Sequence, residues 1–258
     1  MISFSALAAP KAELWQRWQD HNANSSAVID HSVWNTLLKK YIVVDDDLNR
    51  FAYGKVSQAD RKQLAAYVMQ LEGTKVSAYS RDEQRAFWIN LYNAATISVV
   101  LEHYPVESIT KIDISPGLFS SGPWGKKLLE IEGEAISLDD IEHRILRPIW
   151  KDPLIHYTVN CASVGCPNLA NTAYTADNFN ELATTNARAY INSSRGAVVE
   201  KGRLNVSSIY VWFQPDFGGK DKGVIQHLLQ YAEPDLAVEL QAIKKISKNF
   251  YDWSLNGV

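Results

Sequence analysis

At 258 residues, with 46 % apolar side chains and eight Trp, eight Phe and twelve Tyr, the chain has ample material for a buried core, and we expect one domain over 1–258. A net charge of −3 with His neutral, and no block of like charges, argues against nucleic acid or an anionic lipid surface as the main partner. The most apolar stretch, 87–101, is broken by Asn90, Asn93, Thr96 and Ser98, so no run approaches the ~18 apolar residues of a transmembrane segment.

The opening MISFSALAAPKAEL lacks the basic start and long apolar run of a signal peptide, yet Ala6-Leu7-Ala8 has the small-x-small form found around a cleavage site. The expectation is a periplasmic or secreted protein, with a cytoplasmic one as the alternative. Helices are predicted over 11–20 and 30–40. Three hydroxyls followed three residues later by an acid then mark helix starts: Ser57 with Asp60, Ser80 with Glu83, and Ser137 with Asp140. They open helices over 58–72 (stopped by Gly73), 81–103 and 138–147. Between the last two lies a Gly/Ser/Pro loop, 115–125, carrying Phe119 and Trp124, either a lid or an ordinary surface loop with two anchoring aromatics.

The runs KLLEIEGEAI (127–136) and AVVEKGRLNV (197–206) each set a Gly-containing turn between short apolar arms and read as hairpins. Segments 155–160 and 209–213 are predicted to be extended, and helices over 176–193, 222–232 and 235–246 complete the chain. The sum is an α+β fold, mostly helical with a small, mainly antiparallel sheet. We expect a helical part, 1–79, packed on a core, 80–217, with C-terminal helices over 218–258.

The helix 81–103 is apolar nearly all round, which places Glu83, Asn90 and Asn93 as a polar line on a buried rod. Buried amides must be hydrogen-bonded, so these either tie down neighbouring backbone or frame the floor of a site. Both cysteines fall in IHYTVNCASVGCPNL (155–169), an extended run ending in a tight turn. Cys161 opens that turn, where a thiol is reachable and nearby N–H groups can lower its pKa and bind an oxyanion.

A thiol nucleophile needs a base. Five residues along an extended strand put His156 on the opposite face and ~16 Å from Cys161. His143, beside Glu142 on the helix 138–147, is the better base, and Asp216 in the aromatic turn after Trp212 is the carboxylate to orient it. A Cys161–Cys166 disulfide is the rival, stabilising by ~2 kcal/mol through closure of a short loop. Zinc on His156, Cys161 and Cys166 lacks a close cysteine pair and a fourth ligand, so no metal and no cofactor are expected. GGKDKG (218–223) lacks the Lys-Ser/Thr ending of a phosphate loop and reads as a solvated turn.

Four ordered segments, RAFWINLYNAATI (85–97), LDDIEHRILR (138–147), DPLIHYTVNCASVGCPNL (152–169) and IYVWFQPDFG (209–218), resemble the family known as domain of unknown function 547. The resemblance implies that Asn90, Asn93, Glu142, His143, His156, Asn160, Cys161, Cys166, Trp212 and Asp216 are the positions to test. It gives no activity. His143 precedes Cys161, the reverse of papain and transglutaminase enzymes, so any distant kinship with those folds requires a permuted or remodelled site.

Two expectations follow. The first is a cysteine-dependent hydrolase or acyl transferase acting on peptide or amide bonds, with Cys161 as nucleophile, His143 as base, Asp216 as orienter, and His156 and Asn160 supporting the site. The second is a non-enzymatic envelope or protein-interaction domain, bridged between Cys161 and Cys166, whose partner is a peptide or protein.

Overall fold

All three capping signals start helical turns. In a computed structural model describing residues 10–117 and 121–258, the Ser57, Ser80 and Ser137 hydroxyls each accept the backbone N–H three residues on. Such a cap is worth about 1 kcal/mol. Ser57 and Ser80 open α2 (Gln58–Glu72) and α3 (Arg81–His103) as expected, and α1 (Ser32–Tyr41) precedes them. Ala6-Leu7-Ala8 and Phe119 lie outside the described residues.

Helix α3 is the axis of the larger apolar core. Seventeen of its 23 residues are buried, including Phe87, Trp88, Ile89, Leu91 and Tyr92. Its partners include Trp34, Leu38, Tyr53 and Tyr67 from the N-terminal part and Ile141, Ile145 and Phe179 from later segments. A second cluster lies under the C-terminal elements: Tyr190 of α5 (Phe179–Ile191), Leu204 and Val206 of a three-stranded sheet, and Val224 and Leu228 of α7 (Asp221–Tyr231).

The hairpins form where expected, β3 (Leu129–Ile131) with β4 (Glu134–Ile136) and β5 (Ala197–Glu200) with β6 (Arg203–Ser207). Each turns through a two-residue link with positive φ at both positions, Glu132-Gly133 and Lys201-Gly202, the geometry that matches strand twist. Two strand elements were not predicted: the hairpin β1 (Ile42–Asp45) with β2 (Leu48–Phe51), and β7 (Ile246–Phe250), which joins β6 in parallel. The helix expected over 235–246 accordingly stops early, as α8 (Pro234–Gln241). The architecture is α+β and mostly helical, with three antiparallel strand pairs and one parallel pair.

Four predicted elements take another form. The helix expected over 138–147 is a π-helix at Asp140–Leu146 running into α4 (Arg147–Trp150). Pro148 offers no N–H to continue the ladder, and the His143 and Arg144 carbonyls instead accept the N–H groups of Glu13 and Trp15. The N-terminal segment spends its donors there, so only Gln16–Gln19 of the helix expected over 11–20 forms, as a 3₁₀ turn. The strand expected at 155–160 is a 3₁₀ helix, Pro153–Tyr157, because the Asp152 side chain caps Leu154 and Pro153 pre-sets the first turn. The strand expected at 209–213 is a helical turn, α6 (Ile209–Trp212), followed by a 3₁₀ turn at Gln214–Phe217. Short apolar runs do not distinguish strand from buried helix by periodicity.

Candidate functional site

The site grows from α3. Asn90, fully buried, donates to the Tyr174 carbonyl (2.7 Å) and accepts the Tyr174 N–H (3.0 Å). One turn on, Asn93 donates to the Thr158 carbonyl and accepts the Asn160 N–H, both at 2.8 Å. The two amides thus act as splints for passing backbone. Asn160 carries the register forward: its side chain accepts the Ala162 N–H (2.9 Å) and donates to the Pro167 carbonyl (2.7 Å), closing the cysteine turn across its base.

Within that turn Ala162 adopts φ +59°, a left-handed conformation uncommon outside glycine. Gly165 is needed for a different reason, since a Cβ there would lie 2.9 Å from the backbone of Asp252. The segment 251–256 runs alongside: Val164 and Gly165 donate to the Ser254 and Asp252 carbonyls, and Asn256 donates to Ala162. Arg195 (2.6 Å to the Cys166 carbonyl) and Tyr190 (2.6 Å to the Gly165 carbonyl) bind the turn from the other side.

Cys161 and Cys166 are joined as a disulfide with Cα atoms 6.3 Å apart. Cys161 is half-buried and Cys166 is 4 % exposed. The Cys161 sulfur lies 3.2 Å from the Ser163 hydroxyl and 3.1 Å from that of Tyr251, and the Cys166 sulfur accepts the Cys161 N–H (3.0 Å) and the Tyr251 hydroxyl (3.2 Å). Burial pushes the Tyr251 hydroxyl well above its ordinary range and keeps it a donor. Among the described residues no imidazole is hydrogen-bonded to either sulfur.

The histidines belong to a separate, charged cluster. Asp216 accepts Arg147 Nε (2.6 Å) and His156 Nε2 (2.8 Å) on the same oxygen. Burial alone would raise this carboxyl, but the hydrogen bonds from His156 and Arg147 and the guanidinium charge hold it at about 2. His156 is stacked on Phe213 at 4.6 Å, and the Arg147 guanidinium lies over the same ring at 4.5 Å. Arg147 also donates through Nη1 to His143 Nδ1 (3.0 Å). A guanidinium only donates, so Nδ1 accepts and the neutral ring carries its proton on Nε2. Burial is the main reason the His143 pKa falls to about 4.

His143 Nε2 faces Asp139 Oδ1 at 3.7 Å, and Glu142 accepts the Tyr92 hydroxyl at 3.2 Å. Burial, then the Glu142 and Asp140 carboxylates, push Asp139 up to about 6 against the pull of Lys127; with 44 % of its side chain exposed, water offsets part of that rise. Trp212 packs in a half-buried aromatic row with Tyr251 (4.9 Å) and Trp253 (5.8 Å), and Trp253 meets Trp124 at 5.7 Å.

The structure therefore brings His143 and Asp216 together through Arg147 and leaves Cys161 among hydroxyls. His156 lies with Asp216, because the 3₁₀ turn voids the strand geometry expected for it. Asn90, Asn93 and Asn160 serve as backbone ties. Sequence reasoning missed Arg147, although its four-residue spacing from His143 on a helical segment was a usable signal. It also missed Tyr251, 90 residues from Cys161, for which no local signal exists. Two surface grooves, of about 290 and 360 Å³, are lined by α7 and α8 residues and by Leu14, Arg81 and Pro148, and by none of these site residues. Among the described residues no group of three or more His, Cys, Asp or Glu is placed to hold a metal. No helix of the described residues is long and apolar enough to cross a membrane.

The family model described as "Protein of unknown function, DUF547" matches residues 76–191, which include α3, the π-helix and the cysteine turn but not Trp212, Asp216 or Tyr251. No curated protein and no solved structure matches the chain. Over residues 76–191 the chain is similar to the DUF547 family.

Proposed function

We propose that this is a non-enzymatic interaction domain of an oxidising compartment, periplasmic or secreted, that receives a peptide or protein partner. The observation that carries the reading is the state of Cys161: its sulfur is shared with Cys166 and lies among hydroxyls, and among the described residues no imidazole is hydrogen-bonded to it. A bridged sulfur is no nucleophile, and stable bridges of this kind belong to oxidising compartments. The half-buried row of Trp212, Tyr251, Trp253 and Trp124 supports a recognition role, since aromatic side chains anchor protein and peptide partners.

One observation favours the second reading, a cysteine-dependent hydrolase or acyl transferase on peptide or amide bonds. His156 is held by Asp216 as an orienting carboxylate holds a catalytic imidazole. Alkylation with iodoacetamide near neutral pH separates the two. The interaction domain gives no adduct without a reductant, and after reduction Cys161 labels at a rate that His143→Ala and His156→Ala leave unchanged. Rapid labelling of untreated protein, slowed by either substitution, would establish the enzyme instead.

A further inference from the structure

The bridge is not what fixes its own loop. Asn160 ties the two ends of the turn, Asn93 holds its entrance, Arg195 and Tyr190 hold three of its carbonyls, and the segment 252–256 pairs with Ala162, Val164 and Gly165. A turn with this many ties keeps its course with the sulfurs separated. The two sulfurs are also unequal. Cys161 is the half-buried, more accessible member, while Cys166 is buried and alone accepts a backbone N–H, that of Cys161; the Tyr251 hydroxyl lies within 3.1–3.2 Å of both sulfurs.

Exchange at a disulfide sends the electron pair of the broken S–S bond to the sulfur that is not attacked, and its rate rises as that sulfur becomes a better leaving group. The Cys161 N–H already points at the Cys166 sulfur, and the Tyr251 O–H, within reach of both sulfurs, can turn to it as charge develops, which is what a departing thiolate requires. No carboxylate is hydrogen-bonded to either sulfur among the described residues.

From this asymmetry we propose that Cys161–Cys166 is a thiol–disulfide exchange site that accepts electrons from a dithiol, with Cys161 as the sulfur attacked and Cys166 as the leaving thiolate. The proposal rests on the bridged state assigned above and goes beyond it by giving the bridge a reaction. An incoming thiolate bonds to Cys161 Sγ, the S–S bond breaks, and its electron pair goes to Cys166 Sγ, held by the Cys161 N–H and the Tyr251 O–H. The second thiol of the donor, deprotonated, then attacks the mixed disulfide at the donor's own sulfur and releases Cys161. Two electrons pass to the bridge, the dithiol leaves as a disulfide, and its two protons end on Cys161 and Cys166. Tyr251 is here a positioning residue for the leaving sulfur.

The probe is dithiothreitol acting on the intact chain near pH 7.5, with acid quench, alkylation and mass spectrometry. Wild type is expected to be reduced at both sulfurs with unchanged circular dichroism, and Tyr251→Phe to be reduced about tenfold more slowly. Cys166→Ala is expected to form a mixed disulfide at Cys161 with 5,5′-dithiobis(2-nitrobenzoate), whereas Cys166 in Cys161→Ala reacts at least tenfold more slowly. Should either cysteine variant fail to fold, the wild-type and Tyr251→Phe rates decide. Reduction that occurs only in denaturant, equal reactivity of the two cysteines, or a Tyr251→Phe rate equal to wild type overturns the proposal. Free thiols in protein never exposed to reductant would instead overturn the bridged state itself, which separates the two failures.

Discussion

Around the sulfur pair the partners are hydroxyls and peptide groups; around Asp216 they are a guanidinium, an imidazole and, through Arg147, a second imidazole. Both centres bury polar atoms, yet they do so by different physics. The first is satisfied by neutral dipoles and by backbone geometry, so removing one contact leaves no charge unbalanced. The second balances ionised groups against one another, and each depends on its partner to remain tolerable in the interior. What separates them also separates sulfur from imidazole.

Asp216→Asn breaks the charged centre most directly, because Arg147, 4 % exposed, keeps its charge without a counterion. A loss of about 3 kcal/mol in unfolding free energy by denaturant titration is expected. A loss below ~1 kcal/mol would mean that water already screens the pair. Asn93→Ala attacks the neutral centre and leaves the Thr158 carbonyl and the Asn160 N–H without their partner; about 2 kcal/mol is expected by the same measurement. Replacing both cysteines by alanine should cost about the same or slightly less, ~2 kcal/mol, with the circular dichroism spectrum retained.

Acid titration sharpens the comparison further, with smaller effects. Asp216 has a folded value of about 2, below the unfolded carboxylate near 3.8, so its contribution is complete above pH ~4 and is lost as pH falls toward 2. His143 also titrates lower when folded, at about 4 against an ordinary 6.5, so the unfolded chain takes up the proton first and stability declines as pH falls from about 6.5 to 4. His31 and His227, also lowered to about 4, act in the same direction, while Asp139, raised to about 6, opposes it. Melting temperatures measured between pH 7 and 4 should fall more steeply for wild type than for His143→Gln. Parallel curves would show that His143 is solvated in the folded protein.

Much of the helical frame was legible in the sequence because its signals are local. Ser57, Ser80 and Ser137 announce their turns within three residues, and the all-round apolar pattern of 81–103 announces a buried rod carrying Asn90 and Asn93. The failures are cases where distant partners override local pattern. Residues 11–20 read as helix, but Glu13 and Trp15 give their N–H groups to the carbonyls that the π-helix frees. Residues 209–213 read as strand but form a helical turn. At the site, Cys161, His156 and Asp216 were singled out by residue type, yet Arg147 as the link between His143 and Asp216, and Tyr251 as the companion of the sulfurs, depend on tertiary contacts spanning 69 and 90 residues.

The strand-like tail over 251–256 also bears on the order of events during synthesis. Cys161 and Cys166 leave the ribosome about ninety residues before Tyr251, and an extending chain adds roughly 5–20 residues per second. For several seconds the two thiols are therefore available to an oxidant without the hydroxyl and backbone that later shelter them. Pairing within that interval precedes the arrival of Tyr251 and the 252–256 backbone, after which Cys166 is buried and only Cys161 stays partly reachable.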